Sequence, residues 1–69
     1  MTQFVHIVYV HPVELGEPNT HKVKEEREFE SHFNALQWID IRNLRAEQKG
    51  EALKAVYYGC VNDETGELI

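Results

Sequence analysis

Only one stretch of this chain reads as a long helix, and that limits what the rest can build. Ser31 to Gly50 runs from a good N-cap to a good helix stop with no proline between them. The other apolar segments are rich in β-branched and aromatic residues, so this helix must find its support in a sheet. At 100° per residue, Phe33, Ala35, Leu36, Ile39, Leu44 and Ala46 fall on one side, the expected core face. The opposite side carries Trp38, Arg42, Arg45 and Lys49 at spacing i, i+4, i+7, i+11, with Ile41 beside them. Tryptophan and arginine are the residues most enriched at interface hot spots, which makes this stripe a candidate partner-binding surface. A structural reading competes with it. Basic residues near a helix C-terminus are favoured by the dipole, and arginine stems cover apolar surface. Asp40 and Asn43 also fall on the nominal core face, and a register shift near Asp40 would put Trp38 and Ile41 in the core. Both readings stand at this stage.

The strands are placed around that helix. Phe4 to His11 is apolar on both sides, as in a central strand, and Pro12 is expected to end it because proline cannot donate to a ladder. Pro12 to Thr20, with two prolines, a glycine and an asparagine, is expected to be a loop or wide hairpin connection. His21 to Phe29 is a second, charged strand suited to a sheet edge. Ala52 to Val61 is a third, rich in Val, Tyr and Cys. Asn62-Asp63-Glu64-Thr65-Gly66 is a turn, and Glu67 to Ile69 begins a short return strand. A right-handed crossover through the helix then gives a small, mostly antiparallel β-β-α-β-β sheet in the order 2-1-3-4, with the helix packed on one face. The class is α+β in a single domain over residues 1–69. The second sheet face has no helix to cover it. Tyr9, Tyr57 and Tyr58 are expected to lie there as a wet aromatic surface, or a second copy to pack there, and a homodimer through that face or an edge is expected.

Size and charge narrow the function. A chain of 69 residues buries only about 60% of its unfolded surface. Such scaffolds lean on disulfides, metals or partners. The single cysteine, Cys60, allows no internal disulfide and favours a reducing compartment. The opening Met-Thr-Gln-Phe lacks a basic leader, and no apolar run approaches membrane-spanning length, so the expected setting is cytoplasmic, with no membrane contact. A net charge of −5 disfavours nucleic acid as a general partner and suits a basic protein. The acids at Glu25, Glu26, Glu28 and Glu30 form a second candidate surface, with a solvated edge as the plainer explanation.

Catalysis finds no constellation here. His6, His11, His21 and His32 show no zinc-type pairing, so neither a metal nor a cofactor is called for. Cys60 has no neighbouring base in sequence to activate it, and phosphate-loop and nucleophile-elbow patterns are missing. The reading is a non-enzymatic protein-binding module. The alternative is a nucleic-acid-binding regulator that uses the basic and aromatic stripe of the helix.

The run Arg27-Glu28-Phe29-Glu30-Ser31-His32-Phe33-Asn34-Ala35-Leu36-Gln37-Trp38, a strand followed by a serine cap and a helix, resembles the layout of small phage-encoded proteins that inhibit host enzymes, including phage inhibitors of bacterial RNA polymerase. The resemblance covers about a third of the chain, and it is one of layout rather than of a motif. It implies inhibition of a host protein by contact, in a phage setting, and it transfers no functional residue.

Overall fold

The computed structural model describes residues 4–69. Met1 to Gln3, whose composition contributed to the expectation of no leader, lie outside the described residues. The elements are β1 (Phe4–Glu14), β2 (Glu17–Pro18), β3 (Glu25–Phe29), α1 (His32–Lys49) and β4 (Leu53–Asn62). β1 is the spine of an antiparallel sheet. It pairs with β3 and β2 on one side and with β4 on the other. Residues 67–69 return along the outside of β4 through a single bridge, Val61 to Leu68. The α+β class and the expected order are therefore observed, with the central strand as anticipated.

Three expectations about the first half need correction. β1 does not end at Pro12 but continues to Glu14. Lys24 N–H donates to the Val10 carbonyl at 2.8 Å and Asn19 N–H to the Pro12 carbonyl at 2.8 Å. Alternation in an antiparallel strand therefore turns the donor position of Pro12 toward the stretch between β2 and β3, where no ladder partner needs it. The connection is a tight two-residue hairpin rather than a loop or wide hairpin. Glu14 pairs with Glu17 across Leu15 (φ 55°) and Gly16 (φ 81°), the positive-φ pair of a two-residue turn. Finally, His21 to Lys24 are not strand, and β3 starts at Glu25.

Leu15 is the weak point of that hairpin. It is fully exposed and holds a backbone conformation that leucine disfavours. Leu15→Asn is expected to stabilise the domain by about 0.5–1 kcal/mol, because asparagine tolerates this conformation and leaves no bare apolar side chain. A higher midpoint in thermal unfolding would show it.

α1 has the termini the sequence implies. Ser31 Oγ accepts from Asn34 N–H at 3.4 Å. At the other end Gly50 adopts φ 70°, and the N–H groups of Gly50 and Glu51 donate to the carbonyls of Glu47 and Ala46. The rotational phase is different from the expected one. Ala35 and Ala46 are buried, and Trp38, Ile39, Arg42 and Asn43 are half-buried. Phe33, Leu36 and Leu44, expected in the core, are 72%, 43% and 53% exposed. Small residues mark the places where the helix comes closest to the sheet, and a reading weighted by large apolar side chains turns the helix the wrong way.

The core is correspondingly small. Val8, Val10, Ala35 and Ala55 form its centre, ringed by Phe29, Trp38, Ile39, Leu53 and Tyr57. Asn43 holds the helix to the outer edge of β4. Its Oδ1 accepts from Ala55 N–H at 2.7 Å and its Nδ2 donates to the Ala55 carbonyl at 3.3 Å, as a neighbouring strand would. Between Ile7 and Val8 the register with β4 shifts, because Ile7 faces Gly59 while Val8 faces Tyr57. Tyr58 is the extra residue of a bulge.

Candidate protein interface

The stripe read from the helix does not form one surface. Trp38 lies against β3, with the Phe29 ring 5.8 Å away and the Arg27 guanidinium carbon 5.9 Å from its ring centroid. Arg42 is directed at Glu25 (3.7 Å) and Glu51 (3.9 Å) and is only partly exposed. Glu25 also accepts from Arg27 Nε at 2.8 Å. Trp38 and Arg42 thus pack the helix against the sheet. Arg45 and Lys49 remain in solvent, and Ile41, 45% exposed, belongs to the outer side of the helix.

That outer side carries the unexpected feature. Phe33 and Leu36 are one turn apart, as are Ile41 and Leu44, and Gln37 and Asp40 lie between the two pairs. All four apolar side chains are exposed. They form two exposed apolar pairs on the outer side of the helix, and exposed apolar clusters on a small protein are often functional. The sequence signal for this ridge was available. Asp40 conflicts with a core position, and Ala35 and Ala46 lie eleven residues apart on one helix face.

The acidic run is split by strand alternation. Glu25 faces the helix side with Arg27 and Phe29, whereas Glu26 and Glu28 face the open side opposite Tyr9 and Ile7. Glu28 and Glu30, with Asp63, rim a depression of about 260 Å³ over Val5. Tyr9 and Tyr58 lie on the open face with ring centroids 5.0 Å apart and planes at 60°. Tyr57, expected with them, instead faces the helix. The bulge separates the two tyrosines, and Tyr57 OH pairs with His6 Nδ1 at 2.8 Å. A groove of about 410 Å³ follows the open face, lined by Tyr9, His11, Thr20, Val23, Val56, Tyr57 and Tyr58. Burial, then Glu26, then Tyr58 raise the Tyr9 phenol above its ordinary value. Burial, then Cys60, raise that of Tyr57.

The four histidines do not converge. His6 and His11 face opposite sides of β1, as their spacing implies. His6 stacks with His32 (5.4 Å) and Tyr57 (6.0 Å) at the N-terminal end of α1. His11 is 5% exposed, and its Nδ1–H donates to the Lys22 carbonyl at 2.6 Å, which ties residues 20–24 across the open face. His21 is exposed. Among the described residues no group of three His, Cys, Asp or Glu is arranged to hold a metal, and no helix is long and apolar enough to cross a membrane. At the hairpin, Asn19 donates to both Glu14 carboxylate oxygens at 2.9 and 3.2 Å. That hydrogen bonding, followed by the nearby Lys22 ammonium, lowers the Glu14 carboxyl below its ordinary value. Comparison of the chain with protein-family models, curated proteins and solved structures gave no match.

Proposed function

We propose that this chain is a small, non-enzymatic protein-binding module whose contact surface is the outer ridge of α1, formed by Phe33, Leu36, Ile41 and Leu44. One observation carries the reading: four large apolar side chains of the helix, Phe33, Leu36, Ile41 and Leu44, sit in solvent while valine and alanine fill the centre of the core. Burying such a ridge against a partner would add apolar contact that a domain of this size lacks. The module would act by occluding or remodelling the protein it binds, the mode implied by the resemblance to phage inhibitors of host enzymes. The nucleic-acid alternative has less support, because its stacking residue Trp38 is half-buried and packed on Phe29 and Arg27 of β3.

The test is Phe33→Glu combined with Leu44→Lys. Both are good helix formers, and each charge suits its end of the helix dipole, so the fold should be kept or slightly stabilised. Tagged wild type and variant are used to capture partners from bacterial lysate with nuclease present, and both are sedimented across a concentration series. We expect the wild type to retain one stoichiometric protein, or to self-associate, and the folded variant to lose that interaction at least tenfold. Equal capture and equal self-association by wild type and variant would remove the ridge from consideration.

A further inference from the structure

Residues 63–69, which return along the outside of β4, are held to the sheet by few contacts, and one of these is a fitted seat. Asn62 N–H donates to the Glu67 carbonyl at 2.9 Å and Ile69 N–H to the Cys60 carbonyl at 2.8 Å, on either side of the Val61–Leu68 bridge. The turn before them is tied within itself. Gly66 N–H donates to the Asn62 carbonyl at 2.6 Å, and Asn62 Oδ1 accepts from Glu64 N–H at 2.8 Å. The seat is at Gly59. A Cβ added there would lie 2.5 Å from Leu68 Cδ1, so Leu68 fills the space that a side chain at position 59 would take. Glycine weakens a strand interior and is found where another group approaches closely, as here. Gly59 stands opposite Ile7 in the ladder, and Ile7 is only 5% exposed although no helix covers its face of the sheet. Leu68 therefore stands in for the side chain that Gly59 lacks and roofs this end of the open face.

We infer that residues 63–69 form a strap that opens and closes as a unit on an otherwise folded domain, with Leu68 in the Gly59 seat as its latch. Segments that bury little apolar surface open locally, well before the whole domain unfolds. Leu68 and Ile69 are 59% and 70% exposed, whereas β4 pairs with β1 along its length, from Leu53 opposite Pro12 to Asn62 opposite Phe4. Opening uncovers Gly59 beside Ile7. It also leaves the Cys60 carbonyl and the Asn62 N–H as an unpaired sheet edge. The exposed edge is confined to this end of β4, because Asn43 of α1 keeps hold of Ala55 when the strap is open. The device is independent of the helix ridge, which lies on the other side of the sheet.

The experiment is amide-resolved hydrogen exchange on the full chain across a series of low urea concentrations. A local opening exposes little surface, so the exchange of Asn62 and Ile69 should be measurably protected but nearly insensitive to urea, while that of Val8 and Val10 at the centre of the sheet should accelerate with it. Gly59→Val fills the seat with a residue that suits a strand, and Leu68→Ala removes the latch at an exposed position. Each variant is expected to speed exchange at Asn62 and Ile69 about tenfold and to leave Val8 and Val10 within about twofold of the wild type. In the Leu68→Ala background, Gly59→Val should add nothing, since there is no longer a leucine to displace. Urea sensitivity at Asn62 and Ile69 equal to that at Val8 and Val10 would overturn the inference. So would unprotected Asn62 and Ile69 amides in the wild type, or unchanged exchange there in both single variants.

Discussion

Trp38→Ala is expected to destabilise the domain by about 3 kcal/mol, the lower end for truncating a packed tryptophan, because the side chain is half-buried. Phe29 and the Arg27 guanidinium both lose the indole they meet, and the core cluster loses one of its largest members. A chain of 69 residues has a total stability of roughly 3–10 kcal/mol, so this one change consumes a third of it or more. In urea the unfolding midpoint should fall by about 2–3 M. Arg27→Ala, which removes only the exposed partner, should cost less than 1 kcal/mol. A Trp38→Ala protein with an unchanged midpoint would return this residue to the surface and revive the stripe as a contact site.

The second large effect belongs to Asn43. Its amide meets both backbone groups of Ala55, a buried residue on the outer edge of β4. Asn43→Ala leaves that N–H and carbonyl without their partner at a site that water reaches poorly. The expected cost is about 2 kcal/mol, or a fall of roughly 8–16 °C in Tm for a domain of this size. The amide proton of Ala55 should lose its protection from hydrogen exchange well beyond the change in global stability. Asn43→Asp supplies a control. It keeps the acceptor that makes the 2.7 Å bond and loses the donor that makes the 3.3 Å one, so it should cost less than the alanine. Equal loss in both variants would mean that the carbonyl contact, not the N–H contact, matters more.

Much of the architecture was legible in the residues. The helix limits follow from Ser31 and Gly50, and the central place of β1 follows from a strand apolar on both faces. The strand order follows from the crossover. The rotational phase of α1 was not legible, because apolar residues occur all round it and closest approach selects alanine rather than leucine. Asn43 and Arg42 illustrate the same difficulty. One is polar and looks misplaced in a core, yet it satisfies an edge strand; the other looks solvent-facing, yet it reaches Glu25 and Glu51. The open-face groove was legible only in part. Tyr9 and Tyr58 were expected on that face, but the bulge that divides Tyr57 from Tyr58 depends on how β4 pairs with β1, a long-range choice that no local pattern encodes.

That bulge means β4 is written in two reading frames. Through Tyr57 the odd-numbered side chains face the helix, and from Cys60 onward the even-numbered ones do, since Cys60 lies opposite His6. Removing one residue elsewhere in the strand would turn half of it inside out. Removing Tyr58 alone would join the two halves in phase. Tyr58 is therefore the one position in β4 that the alternation of the sheet does not require. Its presence there separates what the chain needs in order to fold from what it displays on its surface.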